Sequence, residues 1–359
     1  MTETKKIIIT GTHTTPAIEL IHQLKNDREI DWDIYYVGRK YNSSVENKSS
    51  IESKIIPQYK VKFYGILCGK FDRRWFPNTI SGLPQIFSGF KEAYCLLKKI
   101  KAHRVISFGG YVSVPVIIAA WLQKIPSITH EQTHTLSLST KINSLFCKYV
   151  ALSFPSNHNS KKYVITGNLL RQEIYNSNSP YFKKQKFNLK KYPLIYLTAG
   201  NQGSHHLNTT LQNILPFLSE KYTIVHQTGA QDYLLSKKIS QKFSNYLPLS
   251  YVESSDIGWL FHYAKLIISR SGANTTQEIA ALKQSSILIP LPVSQQNEQE
   301  KNASWLQKKL PKNTIIIKDS ELTDKSLINS IKKLSHIKSK RNSILSTSNL
   351  KLLKLIKRL

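Results

Sequence analysis

Apolar, β-branched runs alternate with amphipathic segments along most of this chain. The runs "KIIIT" (6–10), "IYYVG" (34–38), "VISF" (105–108), "SITHE" (127–131) and "VALSF" (150–154) are nearly continuously apolar. That pattern predicts strands buried on both faces. Between them "AIELIHQLKND" (17–27) and "VPVIIAAWLQK" (114–124) read as helices. The second half repeats the plan, with strands at "LIYLTAG" (194–200), "TIVHQTG" (223–229), "LIISRSG" (266–272), "SILIPLP" (286–292) and "TIIIKD" (314–319). Its helices include "LNTTLQNILPFLSEKY" (207–222), "DIGWLFHYAK" (256–265) and "ASWLQKKL" (303–310). Such alternation predicts an α/β fold of two doubly wound domains, each a parallel sheet covered by helices. The linker falls within 156–192, where "SNSPYFKKQKFNLKKYP" (177–193) is polar, basic and weakly periodic. In open α/β sheets ligands bind outside the carboxyl ends of the strands. With two domains, the expected site is the cleft between them.

The predicted strand ends carry the residues capable of chemistry. "TGTHTTPA" (10–17) is a glycine and hydroxyl turn entering a helix. It is either an ordinary tight turn with a solvated His13 or an anion cradle from which His13 projects. Gly109-Gly110-Tyr111 follows the next strand, and paired glycines permit close backbone approach. Glu131 ends "SITHE", as a base, a sugar-hydroxyl acceptor or a structural anchor. "TAGNQGS" (198–204) is a second strand-to-helix glycine turn. "SRSGANTTQEIAA" (269–281) is a third. There Asn274 and Gln277 predict a capping box. Gly272 and Ala273 would let a phosphate approach the positive helix end. Glu278, one turn in and at the rim, would accept hydrogen bonds from a ribose diol. The plain alternative is that small residues allow tight helix–strand packing. Asp31-Trp32-Asp33 spells a metal-binding carboxylate pattern. It precedes its strand, at the end opposite the ligand edge, so no metal site is expected.

Charge changes the picture more than composition does. Of 359 residues, 51 are Lys or Arg and 22 Asp or Glu, a net charge of +29. The surplus is uneven: no acidic residue follows Asp324, while Lys325–Arg358 holds ten basic ones. A basic surface suits an anionic partner. No zinc spacing, basic zipper or RNA-motif aromatics point to nucleic acid, so an anionic membrane surface is expected. Cys68, Cys95 and Cys147 are far apart and form no metal or redox pair, which fits a reducing cytoplasm. The most apolar stretch, 111–126, contains Pro115 and falls short of the ~20 residues a membrane span needs.

Taken together and in order, these motifs resemble the MurG family of N-acetylglucosaminyltransferases. "TGTHTTPA" is similar to TGGHxxPA, "SFGGYVSVP" to GFGGYxSxP, "HEQT" to HEQN and "TGNLLR" (166–171) to the GNPxR hinge element. "TAGNQGS" is similar to GGSQGA, "HQTG" (226–229) is the same four residues, and "SRSGANTTQEIAA" is similar to CRSGAxTxxEIAA. "NEQEKNA" (297–303) matches the Gln and Asn-Ala of the family's late loop. The resemblance covers nearly the whole chain. Departures are Thr12, Val114, Thr133, Leu169, Asn201 and Glu298, which replace Gly, Gly, Asn, Pro, Ser and Gln of the family pattern.

The resemblance implies a GT-B fold. It implies an acceptor domain over 1–170 with the 340–359 helix packing back on it, and a donor domain over 171–339. UDP-GlcNAc would be held by Arg171, Asn201, Gln202, Gly203, Val252, Arg270, Ser271, Gly272, Ala273, Glu278 and Gln299. The acceptor side would comprise Gly11, Thr12, His13, Gly110, Tyr111 and Thr133. The implied reaction is inverting, metal-independent and cofactor-free. The 4-hydroxyl of the muramyl sugar of an undecaprenyl-linked muramyl-pentapeptide attacks the anomeric carbon, with His13 as first candidate base and Glu131 as second. The expected location is the cytoplasmic face of the membrane, as a peripheral protein. Rival expectations are a GT-B transferase on another lipid acceptor, a UDP-GlcNAc 2-epimerase, and a non-catalytic UDP-sugar- or membrane-binding protein.

Overall fold

The computed structural model describes residues 4–41, 49–67, 83–156, 158, 160–185, 187–294, 297–337 and 347–359. The chain forms two compact units, residues 1–171 with 346–359, and residues 172–345.

The first unit is built on seven parallel strands: β1 (Thr4–Gly11), β2 (Asp31–Arg39), β3 (Lys62–Ile66), β4 (Arg104–Phe108), β5 (Ser127–Glu131), β6 (Tyr149–Leu152) and β7 (Tyr163–Ile165). Their spatial order is β3-β2-β1-β4-β5-β6-β7. The helices are α1 (Thr14–Lys25), α2 (Ile51–Ile55), α3 (Leu83–Ile100), α4 (Ser113–Leu122) and α5 (Leu138–Phe146). The second unit has six parallel strands: β8 (Leu194–Thr198), β9 (Thr223–Gln227), β10 (Tyr246–Leu249), β11 (Ala264–Ser269), β12 (Ser286–Leu288) and β13 (Thr314–Ile316). They are ordered β10-β9-β8-β11-β12-β13. Its helices are α6 (Pro180–Lys184), α7 (His205–Ser219), α8 (Tyr233–Ser240), α9 (Ser254–Tyr263), α10 (Ala273–Leu282), α11 (Glu298–Lys309) and α12 (Asp324–Ser335).

Each sheet has one place where successive crossovers leave in opposite directions: between β1 and β4, and between β8 and β11. Loops diverging there open a crevice at the carboxyl edge of the sheet. Register fixes what lies at that edge. Gly11 pairs with Phe108 in the first sheet, and Ser269 with Thr198 in the second. Asp31 stands opposite Thr4, at the far edge.

Three strands escape the hydrophobic pattern: β3, β7 and β10. All are edge strands, which are short and half-solvated and so lack a continuous apolar run. The predicted strands also overrun: β12 stops at Leu288 and β6 at Leu152. The predicted linker region is partly structured. It contains β7 and α6, and α6 buries Phe182, which stacks on Trp259 at 4.6 Å.

The terminal helix α13 (Thr347–Lys357) belongs to the first unit. Leu352, Leu355 and Ile356 are buried in the core with Leu20, Leu24 and Trp32. Its polar residues tie it down as well. Asn349 Nδ2 donates to Glu19 Oε1 at 2.9 Å, and Lys357 Nζ lies 2.7 Å from Asp27 Oδ1. Lys351, Lys354 and Arg358 are exposed. Residues 338–346, which include part of the basic tail, lie outside the described residues. No described helix is long and apolar enough to cross a membrane.

Truncating Leu352 or Ile356 to Ala should therefore cost about 2–5 kcal/mol of stability, as buried large-to-small changes do. Urea unfolding would measure it. Lys351→Ala, on the exposed face, should leave the midpoint unchanged.

Candidate functional site

At the first switch point, two loops meet backbone to backbone. The Thr12 N–H donates to the Gly109 carbonyl at 3.2 Å, and the Tyr36 hydroxyl donates to the Gly11 carbonyl at 2.9 Å. A Cβ on Gly11 would stand 2.8 Å from the Phe108 carbonyl carbon, and one on Gly110 2.4 Å from Thr12 Oγ1. Gly110 also has φ +79°, a conformation that favours glycine. A buried polar knot holds the second loop. Asn143 Nδ2 donates to Ser113 Oγ at 2.9 Å and to Ser107 Oγ at 3.3 Å. Ser107 Oγ accepts from the Gly109 N–H at 3.1 Å.

His13 occupies the N-cap position of α1 without capping it. Its ring reaches solvent, yet protein surrounds it closely. That desolvation lowers its pKa, opposed by the charge of Glu131 and reinforced by that of Arg39. The imidazole is thus neutral at pH 7 and able to accept a proton. Glu131 is differently placed. Its carboxylate accepts from Ser137 N–H at 2.8 Å, Thr133 Oγ1 at 2.8 Å and Thr133 N–H at 3.1 Å. Burial works to raise its pKa, but these donors outweigh it and the net shift is downward. A buried carboxylate with lowered basicity makes a weak general base. Glu131 instead ties the 131–137 turn together, the structural alternative open from the sequence. His130, one residue earlier, bonds the Gly167 carbonyl through Nε2 at 3.1 Å, and burial pushes its pKa to about 4.

At the second switch point, the 199–204 turn leans on the turn after β9. A Cβ on Gly203 would stand 2.2 Å from the Thr228 carbonyl oxygen. Gln227 Oε1 accepts from Tyr196 and Thr198, at 2.9 and 3.0 Å. Thr198 Oγ1 in turn accepts from the Gly200 N–H at 3.0 Å, and Gln227 Nε2 reaches Asn201 Oδ1 at 3.4 Å. His226 is a core residue, bonded to Tyr246 at 2.8 Å and Asn208 at 2.9 Å, with its pKa driven to about 3 by burial.

Arg270 binds four acceptors: Ser204 Oγ at 2.6 Å, Asp319 Oδ1 at 2.5 Å, and the carbonyls of Ile289 and Pro290 at 3.1 and 3.3 Å. It fastens the loops after β8, β11, β12 and β13 to one another. Ser271 Oγ donates to the Gln299 carbonyl at 2.8 Å, and Gln299 Oε1 accepts from the Leu291 N–H at 3.1 Å. The Gln299 amide is thereby oriented, with its oxygen engaged and its NH2 left to donate.

The predicted capping box at Asn274 does not form. Gly272 is the N-cap of α10, with extended φ −63°, ψ 152° and no side-chain cap. Asn274 therefore sits inside the first turn, two residues too late to cap it. Gly272 has no side chain, so residue 272 caps none of the first-turn N–H groups. Glu278 also differs from expectation: it is buried, not at an open rim. Buried polar atoms without a protein partner gather near this strand end: Ser269 Oγ, Arg270 Nε, Gln277 Nε2 and Asn302 Oδ1.

The structure thus brings Gly11, Thr12, His13, Gly110 and Tyr111 to the first switch point, with Glu131 and Thr133 in the next turn. It brings Asn201, Gln202, Gly203, Arg270, Ser271, Gly272, Ala273 and Gln299 to the second, with Glu278 further along α10. Val252 is buried just before α9, and Arg171 closes the first unit. Sequence reading missed Arg39 and Asn143, and quoted Gln227 only within "HQTG", with no role of its own. Arg39 and Asn143 come from separate elements and share no spacing that could announce them. Asp31 and Asp33 are occupied by the hydroxyls of Thr4 and Tyr35, at 3.0 and 2.5 Å.

Comparison with known proteins agrees with the fold. Residues 8–152 match the glycosyltransferase family 28 N-terminal domain, and 194–359 its C-terminal domain. The UDP-N-acetylglucosamine–N-acetylmuramyl-(pentapeptide) pyrophosphoryl-undecaprenol N-acetylglucosamine transferase of Clostridium kluyveri is 32% identical, over 92% of this chain and 91% of the relative. The same-named protein of Borreliella burgdorferi is 33% identical over 95% and 91%. Among solved structures, Acinetobacter baumannii MurG superposes with TM-score 0.70 at 21% identity, covering 99% of this chain and all of that one. A Neisseria meningitidis UDP-GlcNAc 2-epimerase shares the fold, with TM-score 0.62 at 12% identity over 99% and 100%.

Two alanine substitutions separate backbone strain from lost space. Gly200 has φ +76° with nothing within 4 Å of an added Cβ, so Gly200→Ala should cost about 1–2 kcal/mol. Gly203→Ala meets the Thr228 carbonyl as well and should cost clearly more. Thermal unfolding of the two variants would show the order.

Proposed function

Since the chain belongs to glycosyltransferase family 28, we propose that it transfers N-acetylglucosamine from UDP-GlcNAc to undecaprenyl-pyrophosphoryl-MurNAc-pentapeptide. The observation that carries this reading is the second switch point. There a glycine turn entering α7 and the N-terminus of α10, uncapped by Gly272, share one sheet edge. That arrangement suits a nucleoside diphosphate, whose charge grows as the sugar leaves. Helix N-termini and fixed N–H groups stabilise such charge without reorganising.

In this reading Ser271, Gly272 and Ala273 approach the pyrophosphate, with Asn201, Gln202 and Gly203 beside it. Glu278 takes the ribose hydroxyls, Gln299 donates its oriented amide to the sugar, and the backbone at Val252 meets the uracil. Arg270 holds the loops in place. On the first unit, Gly11, Thr12, Gly110, Tyr111 and Thr133 receive the acceptor. His13, neutral and solvent-reaching, takes the proton of the muramyl 4-hydroxyl as that oxygen attacks the anomeric carbon in line with departing UDP. One displacement inverts the configuration. Glu131 sets the turn that carries Thr133. The lipid-linked acceptor requires work at a membrane surface, and the net charge of +29 favours anionic lipid. We assign the cytoplasmic face, where the sugar nucleotide is made available.

UDP release from UDP-GlcNAc, with and without the lipid-linked acceptor, tests the reading. Acceptor-dependent release is expected. Conversion of UDP-GlcNAc without acceptor would indicate an epimerase, release only with a different lipid another transferase, and binding without release a non-catalytic protein. His13→Ala should lower kcat by about 10²–10⁴-fold, the usual contribution of a general base, with UDP-GlcNAc affinity unchanged. Because the folded environment lowers the pKa of His13, the acid limb of wild-type kcat/KM should fall below the ordinary histidine range. An unchanged limb in His13→Ala would remove His13 from the role.

A further inference from the structure

Arg39 ends β2, next to β1, and no motif singles it out. Its Nε lies 2.7 Å from Glu52 Oε1 and its Nη2 2.9 Å from Oε2, a fork-to-fork pair with the fully buried carboxylate of α2. Two parallel bonds fix the guanidinium plane, which a lysine ammonium could not do. The guanidinium carbon then stands 6.0 Å from the centre of the Tyr111 ring, within reach of a cation–π contact. Three residues earlier on the same strand, Tyr36 holds the Gly11 carbonyl. The end of β2 therefore reaches both glycine loops of the first unit.

Tyr111 needs such a hold. It follows Gly109 and Gly110, at φ +70° and +79°, and paired glycines resist backbone rotation little. The bonds from Ser107 and Thr12 fix the backbone at Gly109, and Ser113 Oγ donates to the Gly110 carbonyl at 2.8 Å. The aromatic ring lies against Arg39.

We propose that Arg39, clamped by Glu52, is a positioning residue that holds Tyr111 and so sets the second glycine loop to receive the acceptor. This rests on the transferase reading above. It concerns the acceptor side alone, so donor binding is outside its reach.

The test uses the full-length protein with UDP-GlcNAc and the lipid-linked acceptor. Arg39→Gln should raise the acceptor KM roughly tenfold, within the range of coupling between contacting residues, and leave the donor KM within about twofold by the same principle. Arg39→Lys, which keeps the charge but loses the fork, should recover only part. Arg39→Gln added to Tyr111→Ala should change little more than Tyr111→Ala alone. Because Arg39→Gln strands a buried carboxylate, the Arg39→Gln/Glu52→Gln double variant is measured beside it and should show the same acceptor defect with native stability. Amide exchange of residues 109–113 gives an arm free of turnover: it should quicken in that double variant while β1 and β4 stay protected. Additive effects of Arg39 and Tyr111, an equal rise in the donor KM, or unchanged exchange at 109–113 would each overturn the proposal. If the wild type shows no acceptor-dependent turnover, the transferase reading fails, and the exchange arm alone decides the clamp.

Discussion

A Cβ on Gly203 would stand 2.2 Å from the Thr228 carbonyl oxygen, and one on Gly11 2.8 Å from the Phe108 carbonyl carbon. Both contacts lie at the carboxyl edge of a parallel sheet, beside the strands where the chain reverses its winding. Much of the candidate site depends on this closeness of backbone to backbone. It brings loops from distant parts of the sequence within one hydrogen bond of each other, as Thr12 and Gly109 show at 3.2 Å. Backbone packed this closely can turn peptide N–H groups toward an anionic ligand.

The ionisable groups near these crevices serve mostly as ties. Arg270 spends its guanidinium on Ser204, Asp319 and two carbonyls. Glu131 spends its carboxylate on the turn it begins. Asn143 and Gln227 do the same with amides beneath the loops of the first and second units. Pre-set polar groups of this kind avoid reorganisation when charge develops. They also make each loop depend on residues that never need to touch a substrate. His13 stands apart, because it reaches solvent and its proton affinity is lowered by crowding.

The sequence made the central strands legible because burial on both faces leaves a continuous apolar run, as in "KIIIT" and "LIISRSG". The edge strands β3, β7 and β10 were not legible for the converse reason: one flank of each is solvent, so the run is short or broken. The glycine turns were legible because each follows a recognised strand and opens a helix. Their internal detail was harder. Asn274 and Gln277 have capping-box spacing, but the helix begins two residues sooner than that box requires, with Gly272 as its cap. Glu278 looked like a rim residue by its distance from the turn, whereas its burial depends on packing that a linear pattern does not encode. Arg39 and Glu52 lie thirteen positions apart, and only the strand order β2-β1-β4 brings that pair near Tyr111.

On the proposed reading, the second unit's switch point holds the nucleotide. The most direct measurement is photolabelling with 5-azido-uridine-diphospho-GlcNAc, followed by mapping of the labelled peptide. Label is expected on the segment around 249–253, where the uracil would meet the backbone at Val252, and should be lost with excess UDP. Labelling confined to the first unit, or labelling that UDP fails to compete, would contradict it.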